Sequence, residues 1–264
     1  MDVQTSVDMT GRRVLITGAS SGIGRAMAQT FATAGAELVL LDMDADGLAQ
    51  TCQTATAAGC PAVTSHLINL GKKSEIDAFW AGLDRGKAPD TLINNAGIYP
   101  MRRFADVDEP FLDHVMQVNL HSQIWMAQGF INVRGESGGV VVNLASIEAV
   151  SAFKGDMVPY IVSKAGVIGF TKALAKEYGR KGFRVNVLVP GAIRTPGTMS
   201  VAKTILSEGN VGLLKTGYDF MQRLSLGRYG QPEEVASVAL FLASDLASYV
   251  HGAAIPVDGG FLSA

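Results

Sequence analysis

"RVLITGASSGIG" occupies residues 13–24, and its two halves read differently. "RVLIT" (13–17) is a short apolar run of the kind that forms a buried strand. "TGASSGIG" (17–24) begins where that strand stops and runs into a helix. Gly18, Gly22 and Gly24 let the backbone turn tightly and approach a ligand, and the amino end of the helix offers free N–H groups to a pyrophosphate. Asp42 ends the next apolar run, 18 residues after Gly24, where a carboxylate can accept bonds from ribose hydroxyls.

The same alternation continues along the chain. Apolar runs at 13–17, 37–42, 61–68, 91–95, 139–146, 183–190 and 253–257 predict seven strands. Helices are expected around 22–34, 45–58, 73–85, 108–130, 158–179 and 232–243. Runs that are apolar throughout imply strands covered on both faces, so the pattern predicts α/β architecture with a doubly wound, Rossmann-type parallel sheet. No repeat or linker divides the 264 residues, and a single domain over 1–264 is expected. Residues 194–228 are too long for an ordinary strand-to-helix connection and predict a helical lid over a site.

Composition narrows the partners. The formal net charge is -2 and no basic stripe occurs, which gives no electrostatic case for nucleic acid or an anionic membrane. The polar opening "MDVQTSVDMTGRR" lacks signal-peptide character, and no apolar run reaches the ~18 residues of a membrane span, so a soluble, cytoplasmic protein is expected. Cys52 and Cys60 lack metal-ligand spacing, and His66, His114, His121 and His251 are scattered; unpaired thiols and no metal site are expected.

A second stretch, "VPYIVSKAG" (158–166), puts Tyr160 and Lys164 four apart on one helical face. A phenol titrates near ~10, and a neighbouring ammonium is expected to lower that value and allow the phenol to act as base or acid. Ser146 ends the fifth strand 14 residues earlier, at the sheet edge where ligands bind.

Taken in order, these motifs resemble the short-chain dehydrogenases/reductases over essentially the whole chain. The carriers are "TGASSGIG", "NNAG" (94–97), Asn119 in "VNL", the Ser146, Tyr160 and Lys164 set, "PGAIRTP" (190–196) and "VDGG" (257–260). The resemblance implies that Tyr160 exchanges a proton with the substrate oxygen, that Ser146 positions that oxygen, and that Lys164 holds the nicotinamide ribose and lowers the tyrosine pKa. Asn119 would anchor a relaying water. Cofactor contacts are implied at Gly18, Ser20, Ser21, Gly22, Ile23 and Gly24, at Asp42 and Met43, and at Asn69 and Leu70. Further contacts fall on Asn95, Ala96 and Gly97 around the adenosine-side ribose, and on Pro190, Gly191, Ile193 and Thr195, the last two at the carboxamide. A homotetramer, with helices near 108–130 and 158–179 pairing between subunits, is also implied.

Cofactor and substrate are read from single residues. Asp42 would repel the 2'-phosphate of NADP and the turn carries Ser21 rather than a base, so NAD is expected; Arg25 reads as an exposed helix residue. Asn69 stands where many relatives have an aspartate, and its amide oxygen can still accept a bond from adenine. The expected activity interconverts a secondary alcohol and a ketone with NAD(H). Two alternatives are an NADPH-dependent ketone or 3-oxoacyl reductase and a non-catalytic NAD-responsive binding protein. Lid residues Met199, Ile205, Leu213, Leu214, Phe220 and Met221 suit either an apolar substrate or lid packing. Glu148 is read as a substrate contact or as a solvated loop carboxylate, and Arg102, Arg103, Lys154 and Arg194 as possible anion contacts that are solvated by default.

Overall fold

The computed structural model describes residues 7–199 and 219–263. Seven parallel strands form one sheet in the order β3-β2-β1-β4-β5-β6-β7. They are β1 (Arg13–Thr17), β2 (Glu37–Asp42), β3 (Val63–Leu67), β4 (Thr91–Asn94), β5 (Gly139–Leu144), β6 (Phe183–Pro190) and β7 (Ala254–Val257). Alternation along β1 explains why its residues are all apolar: Val14 and Ile16 enter the core on one face and Leu15 enters the core on the other. The edge departs from that expectation. All of β3 after Val63 is exposed, because β3 has a neighbour on one side only and little above its outer part.

Helices α1 (Gly22–Thr33), α2 (Ala45–Ala57) and α7 (Pro232–Ala243) supply residues to the first core, while α3 (Lys73–Gly82), α5 (Ser122–Arg134) and α6 (Val158–Tyr178) supply the second. Trp80 of α3 lies against Gly129 of α5, where any side chain would collide with the indole. The expected single helix over 108–130 is instead α4 (Glu109–Met116), a π-turn (Gln117–His121) and α5. The interruption carries Asn119, and π-turns of this kind recur at functional sites.

The strand order reverses between β1 and β4, which opens a crevice at their carboxyl ends. Thr17, the last residue of β1, ties the two ends together, its Oγ1 accepting the N–H groups of Asn95 and Ala96 at 3.0 Å each. On the far side, Ile193 forms an isolated bridge with Gly230. Glu234 braces that segment by accepting the Gln231 N–H at 2.7 Å and pairing with Arg228 at 2.7 Å, which together hold its carboxyl down to about 2. No described helix is long and apolar enough to cross a membrane.

Candidate active site

The glycine turn wraps more tightly than any side chain would allow. Gly18 sits at φ 66°, and a Cβ there would come within 2.8 Å of the Ala96 Cα. A Cβ on Gly24 would be driven into the carbonyl oxygen of Gly18. Asn95 holds the turn from the other side: its side-chain amide donates to the carbonyls of Thr17 at 2.9 Å and Gly18 at 3.0 Å. Its amide therefore faces the turn, where the resemblance implied a place around the ribose. Its work is to clamp the phosphate-side loop to β4.

Asp42 closes β2 with its carboxylate turned back to the turn. Oδ2 accepts the Ser20 N–H at 2.9 Å, and Oδ1 accepts the N–H groups of Met43 at 2.7 Å and Asp44 at 3.0 Å. Arg25, expected to be an exposed helix residue, is partly buried and bridges α1 to α2: it donates to the Thr51 hydroxyl at 3.1 Å and to the carbonyls of Ser20 and Gly47. Asn69 uses its amide oxygen to accept the Gly71 N–H at 2.9 Å, Leu70 is buried, and Met43 is 72% exposed. These positions form a shelf on which Asp42 and Asn69 are half-buried and only Met43 is open.

The reactive residues lie deeper. Asn119 is fully buried; its Oδ1 accepts the Ile98 N–H at 2.8 Å, and its Nδ2 donates to the Ile98 carbonyl at 2.8 Å and the Ser163 hydroxyl at 3.2 Å. It fixes the loop after β4 through both backbone groups of one residue. Lys164 extends under that loop and donates from Nζ to the Leu144 carbonyl at 2.8 Å. A Cβ on Gly97 would stand 3.2 Å from Lys164 Nζ and 3.3 Å from Asn119 Oδ1, so the glycine lets the loop approach both. Burial pushes the Lys164 ammonium down to about 8.

Tyr160 corrects an expectation. Its pKa is not lowered but pushed up to about 12: the protein packed around its hydroxyl makes the phenolate costly, although the ring keeps some surface toward the cleft. The Ser146 hydroxyl works in the opposite direction, while the charge of Glu148 and the Tyr99 phenol add to the rise. Tyr99 meets Tyr160 edge-on, with ring centroids 6.3 Å apart.

A cleft of about 610 Å³ joins these groups. Ile23, Asn95, Gly97, Ser146, Glu148, Tyr160, Lys164, Pro190, Gly191, Ile193, Thr195 and Met199 all line it, whereas Asp42, Met43, Asn69 and Leu70 lie outside on the shelf. Thr195 and Thr198, both on the cleft, exchange hydrogen bonds, and the Thr198 hydroxyl donates to the Ile193 carbonyl at 2.7 Å. Sequence reasoning missed Tyr99, Met101, Met157 and Tyr229 as lining residues; none belongs to a motif, and only the fold brings them together. Of the lid residues named earlier, Ile205, Leu213 and Leu214 fall outside the described residues. Phe220 does both jobs assigned to the lid, lining the cleft and stacking on Phe261 at 4.7 Å.

Two further readings change. Glu148, read as a solvated carboxylate or a substrate contact, is only 6% exposed. Arg102 and Arg103 are paired with Asp108 and Asp106 and lie off the cleft, whereas Lys154 and Arg194 line it together with Lys164. Cys52 and Cys60 are free thiols.

The family model described as Enoyl-(Acyl carrier protein) reductase matches residues 18–262. Levodione reductase of Leifsonia aquatica is 35% identical over 258 residues, 95% of this chain and 94% of that protein. Galactitol 2-dehydrogenase (L-tagatose-forming) of Cereibacter sphaeroides is 34% identical over 264 residues, 99% of each. A solved structure from Agrobacterium tumefaciens, of a candidate 2-deoxy-D-gluconate 3-dehydrogenase with bound NADP, superposes with a TM-score of 0.86 at 33% identity, covering 97% of this chain and 98% of that one. The motif order, the seven-stranded sheet and these full-length likenesses have one meaning: the chain belongs to the short-chain dehydrogenase/reductase family of oxidoreductases.

Proposed function

We propose that this protein interconverts a secondary alcohol and a ketone with NAD(H), using Tyr160 as the proton-exchanging group. The observation that carries this reading is the convergence of Ser146, Tyr160 and Lys164 in one cleft that Ile23 of the glycine turn also lines. The cradle suits a dinucleotide: side chains are excluded at Gly18 and Gly24, and Gly97 admits close approach above Lys164. When bound, the nicotinamide accepts or supplies the hydride. The protein's part is to bind, orient and move one proton.

With a pKa of about 12, Tyr160 is protonated at neutral pH and ready to donate to a ketone oxygen held by Ser146. For alcohol oxidation the same proton must leave first. Lys164, one helical turn from Tyr160 and cationic below about 8, carries the charge of the right sign for that departure. Asn119 acts by fixing the Ile98 backbone, which keeps the wall of the cleft beside Lys164 in place. Ile193 offers a backbone N–H without an acceptor among the described residues, which suits a carboxamide oxygen.

The preference for NAD rests on Asp42 and on Arg25. The carboxylate at the tip of β2 opposes a 2'-phosphate, and the one arginine near the turn is already committed to three acceptors. NADP bound to a solved relative supports the competing reading, an NADPH-dependent reductase. Purified protein incubated with secondary alcohols, polyols, hydroxy acids and sterols, with NAD or NADP, separates the two through the absorbance of reduced nicotinamide. Turnover only with NADP would overturn the Asp42 argument.

Self-association follows from α6 in the same proposal. Val158 and Val162 are 40% and 51% exposed, and the space beside Gly169 is open, a face that a second copy can cover. A homotetramer is the expected assembly, checked by light scattering.

A further inference from the structure

Glu148 is the feature of the cleft that the proton-transfer chemistry leaves unused. It sits two residues after Ser146, on the short 3-10 turn Ile147–Ala149, and its backbone N–H donates to Ser146 Oγ at 3.2 Å. Its carboxylate is held by backbone alone: Oε2 accepts the N–H groups of Phe153 at 2.9 Å and Lys154 at 3.4 Å. None of the described ion pairs includes it, and Oε1 has no partner among the described residues. Burying a carboxylate is costly unless it is paired or fully hydrogen-bonded. Here the side chain lines the cleft, close enough for its charge to act on Tyr160.

We infer that Glu148 is a specificity-determining residue that accepts a hydrogen bond from a second hydroxyl of the substrate, one or two carbons from the reacting one. The substrate class is therefore a diol or polyol rather than a lone secondary alcohol. A hydroxyl fits better than an ammonium, because the basic residues lining the cleft, Lys154, Lys164 and Arg194, outnumber the acidic ones, Glu148 and Asp156, and oppose a cationic substrate. Apolar side chains (Ile147, Met157, Phe220) line the same cleft, and a substrate offering only a hydrocarbon to Glu148 would leave the carboxylate unpaired and be disfavoured.

The inference rests on the alcohol dehydrogenase reading, and its test keeps the two apart. Wild-type protein and the Glu148→Gln variant are compared on matched pairs, 2,3-butanediol against 2-butanol and cis-1,2-cyclohexanediol against cyclohexanol, with 1-amino-2-propanol as the cationic control. The wild type should favour each diol over its mono-alcohol by about tenfold or more in kcat/KM. Glu148→Gln keeps an oxygen for the Phe153 N–H but replaces the charged acceptor, and should lower that preference by about tenfold, mainly through KM for the diol. A melting temperature near that of the wild type separates this loss from misfolding. If the variant melts early, the wild-type diol preference and the shift of its melting temperature by diol with NADH carry the test. Equal wild-type turnover of diols and mono-alcohols, an unchanged ratio in the variant, or preference for the amino alcohol would overturn the Glu148 assignment and leave the dehydrogenase reading standing. Turnover of none of these compounds with either cofactor would remove both.

Discussion

The shelf beside the glycine turn and the cleft around Lys164 are built by different means. At the shelf most partners are close in sequence: Asp42 accepts the N–H groups of Met43 and Asp44, and Asn69 accepts that of Gly71, with the Ser20 N–H on Asp42 as a distant tie. The reactive end is made of residues far apart in the chain. Asn119 reaches Ile98 and Ser163, and Lys164 reaches Leu144 across 20 positions. Asn119 and Lys164 are buried, and the large pKa shifts in the cleft fall on Tyr160 and Lys164. Proton transfer needs groups whose ionisation the protein controls.

Removing the phenol is the most severe way to break this division. Tyr160→Phe should reduce turnover by about a thousandfold while leaving cofactor affinity nearly intact, as read by steady-state kinetics and calorimetry. Parallel losses in both would show that the two ends are not separate. The converse change, at the shelf, should alter cofactor choice and spare chemistry. Asp42→Ala is expected to shift the NAD to NADP ratio of kcat/KM toward NADP by about a hundredfold, with kcat on the better cofactor changed far less.

Burial of Lys164 makes a prediction about stability. Its folded pKa is about 8 against an ordinary 10.5, so between those values the unfolded chain binds more protons and stability rises with pH. The cost of the buried ammonium is fully present below pH 8 and fades toward 10.5. Lys164→Met, inactive, should therefore be more stable than the wild type at pH 7, and that advantage should shrink by about 2 kcal/mol by pH 10 in denaturant titrations. A constant difference would mean that the amine is solvated.

The smallest effect is expected at Gly97, on the reactive side of the boundary. A methyl there must push Lys164 Nζ or Asn119 Oδ1 aside by a few tenths of an ångström. Gly97→Ala should cost about fivefold in kcat with little change in melting temperature. An effect confined to cofactor affinity would move Gly97 to the other side of the comparison.

Legibility followed the same division. The turn at 17–24 and the acid at 42 could be read directly because strand, glycine spacing and helix are adjacent in the chain, and their geometry is local. Strand positions were readable to within one or two residues, since burial of both faces leaves an unbroken apolar run; β3 lacks that burial and its polar Thr64, Ser65 and His66 show it. The π-turn at Gln117–His121 was invisible, because one extra residue in a turn leaves no mark on an apolar pattern that continues across it. Asn95 matched a motif, but the direction of its amide depended on where β1 ends beside β4.

The sequence by itself determined the class of fold, the glycine turn between the first strand and its helix, and the placing of Tyr160 and Lys164 on one helical face, because each rests on spacing along one element or two adjacent ones. Only the tertiary structure decided how those groups ionise, that Arg25 is occupied, and that Glu148 is a buried acceptor rather than a solvated charge. Desolvation is the reason. It depends on how many atoms from distant segments surround a group, and no stretch of chain carries that information alone.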